Sequence, residues 1–127
     1  MTHFDDVREF SEKFGVPVAD RPRLDVAVAR RRYDHLAEEM GELFRATNQG
    51  DLPGVADALA DLVYVALGAA LELGVPFDEV FDEVHRSNMR KERRDGGGGH
   101  KLGIGKPEGW RPPDVRGVLA RHGWEGK

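Results

Sequence analysis

The sequence predicts an all-α protein, a helical bundle of four to five helices that is completed by homo-oligomerisation. Apolar residues recur at the spacing of an amphipathic helix in three segments, residues 4–14, 33–44 and 55–73. We see no internal repeat and no pattern that predicts a strand. The chain has 127 residues, which suits one domain, so we take residues 1–127 as a single domain.

The predicted helices are separated by residues that break helices. Gly15, the Asn48-Gln49-Gly50 segment and Gly74 mark three of the breaks. Asp78 is the predicted N-cap of the fourth helix, which is expected to direct Val80, Phe81, Val84 and Met89 inward. The five helices are predicted at residues 4–14, about 25–46, from 51 or 54 to 74, from about 78 to near 91, and about 114–123.

The sequence changes character after the fourth helix. Residues 96–99 are four consecutive glycines, and no usable periodicity follows as far as Trp110. We predict a flexible glycine-rich loop at about 94–109 and no strand. Loops of that length in compact domains are usually functional or disordered.

Acidic residues stand beside the apolar faces of the second and third helices. Glu38, Glu39 and Glu42 border the apolar stripe of segment 33–44, and Glu39 is nearest to it. Asp57 and Asp61 lie one turn apart on a helix that is otherwise almost wholly apolar. Like charges so placed repel each other, and carboxylates are costly to remove from water without a compensating cation. We therefore predict a divalent-metal site between the two helices; for Glu38 the solvated face of the helix is an equal alternative.

Basic residues close the fourth helix and continue into the loop. Arg86, Arg90 and Lys91, with Lys101 and Lys106, supply cations for which phosphate is the natural partner. The preference for cations in the last turn of any helix explains Arg90 and Lys91 equally well. Together, two acidic helices and a basic loop suggest Mg²⁺ held by carboxylates and by the phosphates of a substrate.

Four other polar or aromatic residues have two interpretations each. Asn88 is either a base or phosphate contact or an ordinary surface residue. Trp110 either stacks on a base or anchors the tail to the core, and we favour the anchor. His35 and His85 could be metal ligands, but a lone histidine is more often a surface or hydrogen-bonded residue.

Composition argues against several classes of protein. The net charge of −4 argues against a general nucleic-acid binder. The absence of cysteine excludes disulfides, thiolate zinc sites and cysteine nucleophiles. No apolar run approaches the length of a membrane span and the N-terminus lacks a signal-peptide pattern, so we expect a cytoplasmic protein without a membrane partner.

Four motifs, in chain order, resemble the all-α nucleoside triphosphate pyrophosphohydrolases, the MazG and phosphoribosyl-ATP pyrophosphohydrolase superfamily. Within it they look like the MazG-like branch with dUTPase-type activity. The motifs are Glu38-Glu39-x-x-Glu42, Asp57-Ala-Leu-Ala-Asp61-Leu-Val-Tyr64-Val, Glu83-Val-His85-Arg86-Ser87-Asn88-Met89-x-Lys91, and Gly-Lys106 followed by Trp110-x-Pro-Pro-Asp114.

The resemblance implies hydrolysis of a nucleotide, with deoxyuridine triphosphate as the favoured substrate, to a monophosphate and pyrophosphate in the presence of Mg²⁺ or Mn²⁺. Such a reaction would serve a house-cleaning role. The implied catalytic residues are Glu38 and Glu39. The implied metal ligands are Glu38, Glu39, Glu42, Asp57 and Asp61. The implied substrate-binding residues are Tyr64, Arg86, Asn88, Lys91 and Lys106.

Three positions depart from the pattern of this family. Its second acidic motif usually reads Glu-x-x-Asp, but Gly54 and Ala58 stand three residues before Asp57 and Asp61. Arg90 replaces the usual serine between methionine and lysine. The alternatives are therefore a catalytically impaired nucleotide-binding module, a phosphoribosyl-ATP pyrophosphohydrolase, or a purely structural helical assembly protein.

Oligomerisation is expected from the third helix. It is apolar over most of its circumference, and such a helix must be buried. The other helices of one small chain can hardly enclose it, whereas a second copy can do so through an isologous contact. The resemblance points to the same conclusion, a homodimer or a dimer of dimers. The alternative is that the glycine-rich tail folds back over this helix.

Overall fold

A computed structural model of the chain describes residues 1–93 and 103–127. Within these residues the fold is all-α, as predicted, with five helices and one short pair of strands. The elements in chain order are α1 His3–Phe14, α2 Val26–Asn48, α3 Leu52–Glu72, α4 Phe77–Asn88, β1 Glu92–Arg93, β2 Ile104–Gly105 and α5 Val115–Arg121.

Most helices begin at a side chain that caps the free backbone N–H groups. Thr2 and Asp5 form a reciprocal capping box at α1. Asp25, Asp51 and Asp114 cap α2, α3 and α5.

The predicted N-cap at Asp78 is wrong. α4 already begins at Phe77, after Pro76, and Asp78 lies in its first turn. The proline ring fixes a backbone angle that suits the start of a helix, so the helix begins one position earlier without a side-chain cap. The Asp78 carboxylate instead accepts a hydrogen bond from the Thr2 hydroxyl at 3.0 Å, which ties the start of α1 to α4.

Helices α2 and α3 form an antiparallel hairpin, which is the most extensive contact between elements of the fold. Three pairs of residues meet across it: Arg32 with Gly68, Glu39 with Asp61, and Ala46 with Gly54. Within each helix these positions are seven residues apart, and seven residues are close to two turns, so each set lies on one face. We call the three pairs the arginine layer, the acid layer and the alanine layer.

The main hydrophobic core lies where α1 crosses the C-terminal half of α3. Its buried residues are Phe4, Val7, Leu67, Ala70 and Leu71, with Val18, Val75 and Phe77 packed against them. This core fixes α1 and the start of α4 at one end of the hairpin. The acid layer lies further along the hairpin, outside this core.

Several apolar residues predicted to point inward are exposed. Tyr33, Met40 and Phe44 on α2 and Leu59 and Val63 on α3 are all more than half exposed. The three layers place charged and small residues between the two helices, and these large apolar side chains stay exposed in the single chain. Phe81 and Met89 of α4 are also exposed, whereas Val80 and Val84 are partly buried.

The prediction that no strand would form is wrong. β1 and β2 pair in antiparallel fashion, with Glu92 opposite Gly105 and Arg93 opposite Ile104. Strands of two residues leave no alternation to detect in the sequence, and their pairing depends on contacts across a long connection. The predicted flexible loop at 94–109 is outside the described residues at positions 94–102, as is Lys101, and its remaining part carries β2.

Helix α3 corrects the statement that no apolar run approaches the length of a membrane span. It has 21 residues and a mean hydropathy of 1.6 over its most apolar 18-residue window, so by length and composition it could cross a membrane. Only 33% of that window is buried within the single chain. The core helix of a water-soluble bundle passes the same test, and the expectation of a cytoplasmic protein stays a prediction.

Candidate functional site

The acid layer brings together three of the five predicted metal ligands. Carboxylate oxygens of Glu39, Glu42 and Asp61 all lie within 4.8 Å of one another. Glu39 and Glu42 are one turn apart on α2, and Asp61 reaches them from the middle of α3. Three convergent carboxylates are an oxygen-rich donor set, the kind that Mg²⁺ and Mn²⁺ prefer in proteins.

Glu39 is the most enclosed member of the acid layer. Its side chain is 13% exposed, and His35 lies one turn before it, with Nε2 3.6 Å from Oε1. Within residues 1–93 and 103–127, the Oε2 atom of Glu39 is the buried side-chain oxygen or nitrogen that has no hydrogen-bond partner. Burial raises the pKa of Glu39, and the neighbouring carboxylates of Glu42 and Asp61 raise it further. A cation at this point would supply the missing partner, so the residues present fit a divalent metal.

Glu38 and Asp57 are not part of this group of three. Both side chains are exposed, and Glu38 lines a cleft of about 680 Å³ beside the acid layer, between α2 and the loop that follows α1. Arg31, His35 and Glu72 line the same cleft. Glu38 therefore borders this cleft and lies outside the group of three carboxylates.

Gly54 and Ala58, two of the three departures from the family pattern, have structural roles. Ala58 is 2% exposed, so no carboxylate stands at this position beside Asp61. The Gly54 N–H donates a hydrogen bond to Oδ1 of the capping Asp51 at 3.0 Å, and a Cβ at Gly54 would lie 3.1 Å from that of Ala46. These positions close the hairpin tightly and contribute no ligand.

The arginine layer continues into an ion-pair network around the buried Glu72, which the sequence reasoning missed. Arg32 donates from Nε to Oε1 of Glu72 at 2.7 Å, and Arg31 donates from Nη2 to Oε2 at 2.6 Å. The Glu72 side chain is only 4% exposed. The available signal was that Gly68 and Glu72 continue the polar row of Asp61 on α3, one and two turns beyond Tyr64. The sequence does not reveal that Arg32 lies opposite this row, because it does not give the antiparallel register of α2 and α3.

Tyr64 lies apart from the acid layer. Its ring packs edge-on against Phe10 of α1, with centroids 5.5 Å apart, and it lines an apolar pocket of about 320 Å³ with Val7, Val63 and Leu67. Its role in substrate binding stays a prediction.

The remaining predicted substrate-binding residues lie at the end of α4 and in the tail. Arg86 forms an ion pair with Glu83 one turn earlier, and this hydrogen-bonded contact lowers the pKa of Glu83 and raises that of Arg86. Part of the Arg86 charge is therefore neutralised within the helix. Asn88 is the last residue of α4, is exposed, and accepts a hydrogen bond on its carbonyl oxygen from the Lys91 N–H at 3.0 Å.

Trp110 anchors the tail to α4, as favoured from the sequence. Its indole Nε1 donates to the carbonyl oxygen of Ser87 at 2.8 Å, and the buried Ser87 hydroxyl donates to the carbonyl of Arg111 at 3.0 Å. The Nζ atoms of Lys91 and Lys106 lie 5.4 Å and 4.8 Å from the centroid of the indole ring. Both predicted phosphate-binding lysines thus contact the ring of the anchor.

The fold and the acid layer define an all-α protein with a carboxylate site suited to a divalent metal. Residues 7–88 match the family described as phosphoribosyl-ATP pyrophosphohydrolase. That match covers more than half of the chain, and the chain belongs to this family of hydrolases that act on acid anhydrides.

Two curated relatives were found. An uncharacterized protein of Acanthamoeba polyphaga mimivirus is 33% identical over 82 residues, which are 61% of this chain and 33% of the viral protein. A phosphoribosyl-ATP pyrophosphatase of Methanopyrus kandleri is 40% identical over 53 residues, which are 42% of this chain and 53% of that protein. The aligned region thus spans about a third and about half of the length of these two relatives.

Proposed function

We propose that this chain is a metal-dependent nucleotide pyrophosphohydrolase that cleaves a nucleoside triphosphate to the monophosphate and pyrophosphate. The observation that carries the proposal is the acid layer, in which an enclosed Glu39 oxygen has no partner among the described residues and two further carboxylates converge on it. Membership of the phosphoribosyl-ATP pyrophosphohydrolase family supports the same reaction class.

Each group of residues has a distinct role in this proposal. Glu39, Glu42 and Asp61 would hold Mg²⁺ or Mn²⁺, which would polarise the phosphates and lower the pKa of a bound water. Glu38, at the wall of the adjacent cleft, would accept a proton from the attacking water. Lys91 and Lys106 would neutralise the phosphates, since two ammonium groups held beside one indole form a compact cationic surface.

We propose one favoured substrate and one alternative. Deoxyuridine triphosphate is the favoured substrate because of the MazG-like motifs, and phosphoribosyl-ATP is the alternative because of the match to its family and the similarity to the Methanopyrus kandleri protein. The test is to incubate the purified chain with each common NTP and dNTP and with phosphoribosyl-ATP, with Mg²⁺ or Mn²⁺, and to measure pyrophosphate. Release from at least one substrate, abolished by EDTA, is expected. No release from any of them would refute the enzymatic function.

A catalytically impaired nucleotide-binding module is the second candidate, favoured by Gly54 and the buried Ala58 at positions where the family usually has a carboxylate. It predicts that a nucleotide binds in equilibrium dialysis but is not cleaved. Ala58→Glu should lower the stability of the chain under either hypothesis, because it places a charge at a buried position. It would create turnover only if the missing carboxylate is what impairs the module.

We also propose that the working unit is a homo-oligomer, a dimer or a dimer of dimers. Tyr33, Met40 and Phe44 form an exposed apolar stripe on α2, and Leu52, Leu59 and Val63 form one on α3. Exposed apolar stripes such as these mark an association surface. The described part of the tail, residues 103–127, packs against α4 through Trp110 and leaves both stripes exposed, so a second copy is the favoured cover.

A further inference from the structure

The three layers of the α2–α3 hairpin place the acid layer between two layers that set its geometry. Arg32, Glu39 and Ala46 repeat every seven residues on α2, opposite Gly68, Asp61 and Gly54 on α3. A slip of one helix along the other would carry Asp61 away from Glu39 and Glu42. The distance between these carboxylates therefore depends on whatever fixes the register of the hairpin.

The alanine layer lies at the connected end of the hairpin. Ala46 and Gly54 are small and let the helix backbones approach closely. The Ala46 carbonyl accepts a hydrogen bond from the Asp51 N–H at 3.0 Å, so the short connection sets the register at this end. The arginine layer lies at the other end, beyond the acid layer.

The arginine layer combines a close steric fit with a directional ion pair. Gly68 is buried, and a Cβ added there would lie 2.6 Å from Nη1 of Arg32, so the guanidinium fills the space that a side chain would occupy. From this notch Arg32 donates from Nε to Oε1 of Glu72 at 2.7 Å, and its Nη2 lies 2.5 Å from the same oxygen in the ion pair. A planar guanidinium that is held by this ion pair in a glycine notch tolerates little displacement along the helix.

We propose that Arg32, seated on Gly68 and bonded to Glu72, is a positioning residue that locks the register of α2 against α3 and so sets the separation of the metal-binding carboxylates. This inference rests on the proposed function, because it assigns the lock to the metal site of that function. Arg32 is seven residues from Glu39, about 10 Å along the helix, and thus acts through the hairpin and not by contact with the metal.

The direction in which metal affinity changes when Arg32 is removed distinguishes a positioning role from a purely electrostatic one. If Arg32 acted on the site only as a nearby positive charge, its removal would strengthen the binding of a divalent cation. If it sets the carboxylate geometry, its removal weakens that binding. The supporting partners of metal ligands typically contribute 10- to 100-fold to affinity, so a loss of about tenfold is expected.

The experiment is a titration of the full chain with Mn²⁺, followed by electron paramagnetic resonance well below the melting temperature. It compares the wild type with Gly68→Ala, Arg32→Lys, Arg32→Met, Gly41→Ala and the double variant that combines Arg32→Lys with Gly68→Ala. Gly68→Ala displaces the guanidinium without removing a charge. Gly41→Ala is the matched control: it adds the same methyl group to a helix, where the Cβ would meet only Nη1 of Arg45 at 3.4 Å.

We expect Gly68→Ala and Arg32→Met to lower Mn²⁺ affinity about tenfold while Gly41→Ala stays within twofold of the wild type. Arg32→Lys combined with Gly68→Ala should bind no worse than Arg32→Lys alone, because the compact ammonium group does not need the notch. The proposal that Arg32 fixes the register would be overturned if a folded Gly68→Ala chain bound Mn²⁺ with wild-type affinity, or if Arg32→Met bound it more tightly.

Two other results are also decisive. If Gly68→Ala does not fold, the Arg32 variants decide the question by the sign of their effect. If the wild type itself fails to bind Mn²⁺, the proposed function falls and the lock falls with it. Loss of affinity in the variants alone therefore cannot be mistaken for failure of the proposed function.

Discussion

Glu39 is the residue on which we expect the chemistry of this chain to depend most. Its position nearest the apolar stripe of its helix predicts this role, and Asp61 is predicted as its partner because it interrupts an apolar helix. The structure places both in the acid layer. Glu38 is exposed because it lies one position further round α2 than Glu39, as its alternative interpretation as part of the solvated face allows. Asp57 is also exposed, although it lies one turn before Asp61 on α3, so the spacing within one helix does not decide which carboxylates meet across the hairpin.

Glu39→Gln is expected to abolish metal binding and turnover while it raises the melting temperature of the metal-free protein. Removing the charge relieves an enclosed carboxylate that is repelled by Glu42 and Asp61. Thermal unfolding with EDTA and with Mn²⁺ measures both effects. Glu9→Gln, an exposed glutamate on α1, is the control. A lower melting temperature in EDTA would show that Glu39 is not under electrostatic strain.

The stability of the metal-free protein should fall as pH rises above about 4.5, the ordinary pKa of a glutamate. Because the pKa of Glu39 is raised in the folded state, the folded chain binds more protons than the unfolded chain between the two pKa values. The free energy of unfolding therefore decreases with pH in that window. The decrease is complete once the pH is above the pKa of Glu39 in the folded state. Urea unfolding in EDTA from pH 4 upward should show this component in the wild type, and its persistence in Glu39→Gln would assign it to other groups.

Glu38→Gln should separate catalysis from metal binding. Glu38 lines the cleft but is outside the group of three carboxylates, so its neutralisation should lower kcat while Mn²⁺ affinity stays within about threefold of the wild type. Steady-state kinetics and an Mn²⁺ titration on the same preparation test this. An equal loss of metal affinity in Glu38→Gln and Glu39→Gln would place Glu38 among the ligands.

At the scale of elements, the helices could be predicted because their apolar periodicity and Asp caps are local features. The faces they present could not. The apolar pattern predicts that Tyr33, Met40 and Phe44 point inward, but they are exposed, and the arginine, acid and alanine layers lie between α2 and α3. Which residues of two helices face each other depends on register, and register here is set by an arginine in a glycine notch that no single-helix pattern reveals.

Trp110→Leu is expected to raise KM about three- to tenfold with a smaller change in kcat. The indole holds Lys91 and Lys106 by contacts that are worth about 0.5–1 kcal/mol each, and it ties the tail to Ser87. Trp110→Phe keeps a ring but loses the hydrogen bond, so its KM should lie between those of the wild type and Trp110→Leu. If both variants change only kcat, the tail has no part in binding the substrate.

For the whole molecule, the exposed apolar stripes of α2 and α3 predict self-association. Sedimentation at micromolar concentration should give at least twice the 14.1 kDa monomer mass. Phe44→Asp should shift the chain toward the monomer, because Phe44 is 68% exposed in the single chain and would carry a charge into the contact. Glu12→Gln, on an exposed position of α1, is the control. A stable, fully helical monomer of the wild type would contradict the prediction.

The hairpin also has a consequence for the order of events during folding. Glu39 and Asp61 belong to consecutive helices joined by the short segment 49–51, so the acid layer closes a short stretch of chain and can form quickly. Its carboxylates then come together before any second copy arrives, since association depends on concentration. Refolding should accordingly be accelerated by Mn²⁺ in an early phase whose rate is independent of protein concentration, and the metal would serve the chain as a folding cofactor before it serves as a catalytic one.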